Sequence, residues 1–321
     1  MLSIVIPVYK NEANVLSLLQ EMERIAGASP VAVEVVLVVD GSPDRSLDML
    51  RRSLPGSGFS AVLVTLSKNF GAFSAVRCGL EAAAGEYVVV LAADLQEPAD
   101  LALVFLERLR AGDADIVIGT PSARDDPWFD TVSSRLFWAA YRRLVLADVP
   151  SAGVYTFGCT RVVRDHLIEL REPTTNLVAL LFWVGFRRVC IAYDRQPRVG
   201  GRSGWTLGKK LRYGLDSIFS FTDLPIRLLL LLGLGGTLTA VTLAVLLLAA
   251  SLLGQIDVPG YAPTMLAVTF FGSITSLGLG ILGQYAWLIL QATRGRPAYL
   301  VERVERFAPA GAAVSGSRGA R

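Results

Sequence analysis

The amino-acid sequence predicts an α/β domain built on a mostly parallel sheet, followed by an interfacial amphipathic helix and two C-terminal membrane-spanning helices. Three observations predict it. Short apolar runs alternate with helical patterns along the first 200 residues, as in strand–helix–strand units with right-handed crossovers. Residues 206–222 set an apolar stripe against a largely basic one. No charged residue occurs from Leu228 to Ile256, nor from Val258 to Thr293, and each run exceeds the roughly 20 residues that cross a bilayer.

The elements follow in order. Strands are expected at 2–8, 33–39, 61–66, 87–92 and 115–118, and helices at 12–27, 43–53, 72–84 and 99–111. The strands are near-continuous apolar runs, as in sheets covered on both faces. In the first helix Val15, Leu18, Leu19, Met22 and Ile25 recur at helical spacing. Ser42-Pro43 reads as an N-cap followed by a first-turn proline. A further helical stretch, 162–170, carries His166, read as structural.

Beyond residue 200, residues 201–225 are read as a juxtamembrane helix. Leu207, Leu211, Leu215, Ile218 and Phe219 form its apolar face, and Lys209, Lys210, Arg212 and Asp216 much of the other. Such a helix lies in the membrane interface. Residues 226–293 hold the two spans. Arg195, Arg198, Arg202 and Arg227 precede them and Arg294, Arg296, Arg303 and Arg306 follow. The positive-inside rule puts both flanks in the cytoplasm and the 254–263 connector outside. The chain starts directly on an apolar strand without a basic leader, so residues 1–200 are expected to be cytoplasmic. Residues 294–321 are expected as a cytoplasmic tail, disordered from Pro309. The expected location is a cell (inner) membrane.

Composition narrows the chemistry. The chain has 321 residues, is 52% hydrophobic and 18% charged, with one histidine and three cysteines. A multi-histidine metal site and a disulfide framework are thereby excluded. Chemistry must rest on carboxylates, amides and basic groups, with or without an oxygen-bound metal. Polar residues gather where the first four strands end: Tyr9-Lys-Asn-Glu12, Asp40-Gly-Ser42, Ser67-Lys-Asn-Phe-Gly71 and Asp94-Leu-Gln-Glu-Pro98. Ligands bind at the carboxyl ends of parallel strands. No GxGxxG follows the first strand and no P-loop lysine motif occurs, which argues against a dinucleotide cofactor. Nothing points to nucleic acid.

These residues resemble glycosyltransferase family two. Val5-Ile-Pro-Val-Tyr-Lys-Asn-Glu12, Val39-Asp-Gly-Ser-Pro-Asp44, Ser67-Lys-Asn-Phe-Gly71 and Ala93-Asp-Leu-Gln-Glu-Pro98 carry the likeness. Gly201-Arg-Ser-Gly-Trp205, the span pair and Arg296-Pro-Ala-Tyr-Leu300 are similar to the polyprenyl-phosphate branch, the type of dolichol-phosphate mannose synthase and bactoprenol glucosyltransferase. The resemblance implies a GT-A type fold and inverting transfer from a nucleotide-diphosphate sugar to a polyprenyl phosphate. It implies that Pro7, Tyr9, Glu12 and Asp40 contact the nucleoside, with Lys68 and Asn69 also on the donor side. Asp94 and Gln96 would hold Mg2+ or Mn2+ as oxygen ligands. Arg198 and Ser203 would clamp the diphosphate. Arg124, Ser134 and Arg135 would hold the acceptor phosphate, with both arginines counted among the catalytic groups. A homo-oligomer, a tetramer, is a further expectation.

The chain departs from the family pattern at five positions. Ala92 replaces the first carboxylate of Asp-x-Asp, and Val39 the first aspartate of the second motif. Pro121, Val154 and Gly204 stand where arginine, aspartate and lysine are common. Two alternatives stay open: a processive polysaccharide synthase, and a non-catalytic relative that binds nucleotide sugar or supports a cell-envelope assembly.

Overall fold

A computed structural model describes residues 1–122, 154, 156–170, 177–196, 224–253 and 261–310. The chain divides into two units, Met1–Trp205 with Pro297–Arg321, and Thr206–Arg296.

The first unit is built on one sheet. Strands β1 (Leu2–Val8), β2 (Val33–Val39), β3 (Ser60–Leu66) and β4 (Tyr87–Val90) alternate with helices α1 (Val15–Ala28), α2 (Ser46–Ser53) and α3 (Ala72–Ala82). Helix α4 (Leu101–Ala111), strands β5 (Ile116–Pro121) and β6 (Thr156–Thr160), helices α5 (Arg161–Glu169) and α6 (Leu177–Trp183), and β7 (Arg188–Tyr193) follow. The chain leaves through α7 (Leu224–Leu252) and α8 (Tyr261–Thr293) and returns to the sheet as β8 (Val301–Phe307). The strand order is β7-β5-β6-β4-β1-β2-β3-β8.

The sequence predicts β1 to β3 and the first four helices closely, because uninterrupted Val/Leu/Ile runs form them. Alternation then sorts the two faces. Ile4, Ile6, Val8, Val35, Leu37 and Val39 join the α1 stripe in the core. Val5 and Val38 face α3 across Gly79, where an added Cβ would lie 2.2 Å from Val5 Cγ1. Gly79→Ala is therefore expected to lower stability by about 1–3 kcal/mol through overpacking, read from the denaturant midpoint of the full chain. An unchanged midpoint would mean that α3 can shift freely on the sheet.

Several expectations are corrected. The sheet is mostly parallel, as expected, but holds more antiparallel pairing than the sequence shows: four strand pairs are parallel and three antiparallel among the described residues. Strands β6, β7 and β8 have no counterpart in the sequence reading, and β6 and β8 supply the antiparallel pairs. The 294–321 segment, read as a tail, holds β8, which pairs with β3. Its run Val-Glu-Arg-Val-Glu-Arg-Phe is too charged to read as a strand; main-chain pairing overrides that polarity. Ser42 does not cap α2, which starts at Ser46 with Arg45 at its N-cap. Ser42 instead donates from its hydroxyl to Asp44 Oδ1 at 2.6 Å.

In the second unit α7 and α8 run 29 and 33 residues. They pack together with Leu229 against Gly278 and Phe271 against Gly236, small residues that allow close approach. The hydroxyls of Thr239, Thr242 and Thr275 donate to carbonyls one turn back in their own helices. Among the described residues one segment, Phe270–Thr293, is long and apolar enough to cross a membrane. In α7 the described apolar stretch is Pro225–Gly236, shorter than the span expected there. The 201–225 helix is described only at its last residues, which belong to α7.

Candidate active site

Strand β1 pairs with β2 on one side and β4 on the other. The chain moves outward through β2 and β3, then reverses to β4. This reversal opens a crevice at the carboxyl ends of β1 and β4, the place where open α/β sheets bind ligands. The four polar loops named above all end at this edge. Two non-glycine residues flank it with left-handed backbones, Lys10 (φ 54) after β1 and Leu95 (φ 54) after β4. Backbone strain of this kind gathers at functional sites.

Hydrogen bonds tie the β1 and β2 loops together. Asp44 accepts from the Ser42 hydroxyl at 2.6 Å, from Glu12 N–H at 3.1 Å and from Ser46 N–H at 3.2 Å. Ser42 Oγ accepts from Lys10 N–H at 2.8 Å, and Ser46 Oγ from Asn11 N–H at 3.1 Å. Burial alone would raise the Asp44 pKa; the donors from Ser42, Ser46 and Glu12 outweigh it and hold the group below the usual carboxylate range. Asp44 and Ser46 are organising residues that the sequence reading assigned no role. The Ser-x-Asp-x-Ser spacing of a side-chain-capped loop was the available signal.

Asp40 does comparable work for the β3 loop. It is 2% exposed, and its two oxygens accept from Phe70 N–H at 2.7 Å and Gly71 N–H at 2.9 Å. The carboxylate thus sits at the N-terminal end of α3, where its charge is favoured. Asn69 Nδ2 also donates to the Asp40 carbonyl at 3.3 Å. Asp40 therefore shapes the donor-side loop, a job additional to the nucleoside contact implied by the resemblance. Val39, where the family resemblance implies another aspartate, points to the opposite face and packs in the core at 1% exposure.

The remaining donor-side residues line the same edge. Pro7 is half-buried at the end of β1, and Tyr9 is 41% exposed beneath Lys10, whose Nζ lies 5.4 Å from the ring centre. Lys68 and Asn69 are exposed, with Lys68 Nζ 5.2 Å from the Phe70 ring centre. Glu12 accepts from Arg45 N–H at 3.0 Å.

After β4, Asp94 is half-buried, and its Oδ1 lies 3.4 Å from the Gln96 N–H. The Gln96 amide oxygen, expected to face a metal, accepts from Arg195 Nη2 at 2.8 Å. One of its two lone pairs is thereby taken by the guanidinium. Gln196 N–H donates to the Gln96 carbonyl at 2.9 Å and fixes the segment after β7 beside this loop. Arg195, Tyr193 and Glu97 thus join the site without having been assigned to it.

Glu97 is 4% exposed, and its Oε2 has no hydrogen-bond partner among the described residues. Burial, then the Asp94 charge, push its pKa from 4.5 up to about 7, against Arg195, its own backbone N–H and the Tyr193 hydroxyl. A carboxyl raised in the folded state stabilises the fold fully below its unfolded pKa. That contribution is lost as pH rises through the folded value. In chelator the wild type is expected to lose up to about 3 kcal/mol between pH 4.5 and 8 through this group. Glu97→Gln is expected to flatten that loss and to melt higher at pH 8. A variant that melts lower at pH 8 would show that the ionised carboxylate has a stabilising partner.

Among the described residues no three His, Cys, Asp or Glu side chains cluster as a metal cage. The donor set still fits a hard divalent cation that takes most of its ligands from phosphate and water. Asp94 supplies an oxygen, and the repulsion it exerts on Glu97 marks excess negative charge there. Cysteine chemistry does not compete, since burial pushes the Cys78 and Cys159 thiols to about 12. His166 stacks on Phe186 at 5.7 Å and lies 3.7 Å from Glu169. Arg124, Ser134, Arg135, Arg198 and Ser203 lie outside the described residues.

Comparison with known proteins accords with this geometry. Residues 3–170 match the family model "Glycosyl transferase family 2". An uncharacterized glycosyltransferase of Synechocystis is 32% identical over 302 residues, 94% of each chain. The undecaprenyl-phosphate 4-deoxy-4-formamido-L-arabinose transferase of Pseudomonas paraeruginosa is 32% identical over 313 residues, 96% of this chain and 91% of that one. The fold is that of glucosyl-3-phosphoglycerate synthase from Mycobacterium tuberculosis, solved with Mn2+, UDP-glucose and phosphoglyceric acid. That match has a TM-score of 0.52 and 19% identity, and covers 68% of this chain and 79% of that one. The chain is a member of glycosyl transferase family 2 and falls in its polyprenyl-phosphate branch.

Proposed function

We propose that the protein transfers a sugar, with inversion, from a nucleotide-diphosphate sugar to a polyprenyl phosphate at the cytoplasmic face of a membrane. The observation that carries this reading is the shared carboxyl edge of the neighbouring strands β4, β1, β2 and β3, which the four polar loops follow, with Asp94 and the strained residues Lys10 and Leu95 among them. Near-complete overlap with an undecaprenyl-phosphate transferase supports the acceptor class.

The residues divide the work. The β1 and β2 loops, set by Asp44, form the nucleoside side with Pro7, Tyr9 and Glu12. Asp40 holds the 67–71 loop, which presents Lys68 and Asn69. Asp94 would hold Mg2+ or Mn2+ together with the donor diphosphate. Bound there, the cation would neutralise charge developing on the leaving group. Arg195 is placed to exchange Gln96 for a donor phosphate, and Arg198 and Ser203 complete the clamp. Arg124, Ser134 and Arg135 receive the acceptor phosphate. An oxygen of that phosphate attacks the anomeric carbon as the bond to the diphosphate oxygen breaks, and the bonding pair leaves with the nucleoside diphosphate. A phosphate monoester with a second pKa of about 6 is largely dianionic at neutral pH. It therefore needs no histidine base.

Connectivity supports two spans. A segment that leaves and re-enters one domain crosses a membrane an even number of times, and the unit Thr206–Arg296 that holds α7 and α8 is preceded and followed in the chain by the sheet unit. The 29 residues of α7 reach about 43 Å, beyond the roughly 30 Å hydrocarbon core. The nucleotide half of the reading is tested by calorimetry on purified protein. Nucleoside diphosphates are expected to bind more tightly with Mn2+ than with chelator. The same affinity in both would remove the metal from the reading.

A further inference from the structure

We infer that Glu97 is a second carboxylate ligand of the divalent cation, beside Asp94. The inference rests on the proposed function, whose metal gains a ligand from the same loop. Three carboxylates are buried among the described residues, those of Glu34, Asp40 and Glu97. Two of them are served from within the fold. Asp40 accepts from the Phe70 and Gly71 N–H groups, and Glu34 accepts from the Ser3 hydroxyl at 2.6 Å and from Ala84 N–H at 2.9 Å. Among the described residues Glu97 is the one carboxylate that keeps a buried oxygen, Oε2, without a hydrogen-bond partner. Leaving a buried acceptor open is costly. A bound ion is one of the few things that account for such an atom in a folded protein.

The surroundings select a cation. Asp94 is near enough for its charge to act on Glu97, and Arg195 acts on the same carboxyl with the opposite sign. The backbone brings the two carboxyls together. Leu95 between them is left-handed (φ 54), and Gln96 N–H lies 3.4 Å from Asp94 Oδ1, so the chain turns sharply after β4. Ala92, just before, offers no side-chain oxygen. Two carboxylates so placed repel each other, and a divalent cation between them turns that repulsion into binding. Arg195 supplies positive charge there until it turns to the donor diphosphate, and the cation then takes over that part. A hard cation takes its remaining oxygens from phosphate and water, so two protein carboxylates suffice.

The test uses the full chain in detergent, with Mn2+ alone as the probe and the paramagnetic resonance of free Mn2+ as the readout. Glu97→Gln keeps the shape of the side chain and is expected to bind Mn2+ more weakly than wild type by about tenfold or more, through the loss of one charged ligand. Asp94→Asn is expected to lose at least as much. Glu97→Asp, which keeps the charge, is expected to fall between wild type and Glu97→Gln. Equal Mn2+ affinity in wild type and Glu97→Gln, with Asp94→Asn impaired, would overturn the inference and leave the metal at Asp94. No Mn2+ bound by wild type would also overturn it; nucleotide binding that still depends on Mn2+ would then leave the proposed function standing. A second measurement needs no variant. With isotope-labelled glutamate carboxyls, the infrared difference between Mg2+ and chelator is expected to show a shifted glutamate carboxylate band in wild type. Its absence would overturn the inference as well.

Discussion

Gly41→Ala is expected to abolish the donor site. Gly41 has φ 54, and an added Cβ would stand 2.3 Å from the Lys68 carbonyl carbon and 2.4 Å from the Asn69 nitrogen. Both neighbours are backbone, so no side chain can swing aside. The β2 and β3 loops would have to part, and the Asp40 bonds to Phe70 and Gly71 would go with them. Overpacking together with a left-handed alanine is expected to cost about 3 kcal/mol. A displacement of about 1 Å at a reaction centre costs about a hundredfold in rate. Gly58, with nothing within 4 Å of an added Cβ, is the control, and Gly58→Ala should keep stability and turnover. Gly41→Ala with wild-type melting and turnover would show that these loops do not touch as described.

Asp94→Ala is expected to reduce transfer by about a thousandfold or more, the scale of losing a charge-stabilising group at a reacting centre. The same change has a second readout. Asp94 is one of the two main causes that raise Glu97. Its removal should bring the Glu97 pKa back down and make the protein more stable above pH 7, in chelator. Less turnover with more alkaline stability is the pairing that a functional carboxylate predicts. Loss of both would mark Asp94 as a folding residue. Unchanged turnover would remove it from the metal assignment.

Much of this site was legible in the sequence because it hangs on apolar runs. Val33 to Val39 can only be a strand, which places Asp40 at its end; Ser60 to Leu66 does the same for Lys68 and Asn69. What the sequence hid is what one residue does for another across the sheet. The bonds from Phe70 and Gly71 to the Asp40 oxygens are invisible in the sequence. Gln96 shows in the sequence only as a polar loop residue, and its bond from Arg195, 99 positions away, shows only in the fold. Glu97 reads as part of a turn until its burial is known. Strand β8 could not be read at all, because a charged edge strand takes its form from β3 and not from its own side chains. Ala92 stands where the family motif has a carboxylate, which puts more weight on Asp94 in the proposed metal site.

The central claim is transfer to a lipid phosphate, and one assay tests it most directly. Purified, folded protein is incubated with undecaprenyl phosphate, Mg2+ or Mn2+ and a panel of nucleotide-diphosphate sugars, and the lipid fraction is analysed by mass. The expected result is a lipid carrying one added sugar with at least one donor, absent when Asp94 is alanine. Nucleotide binding with no lipid-linked product from any donor would contradict the claim and favour a non-catalytic relative.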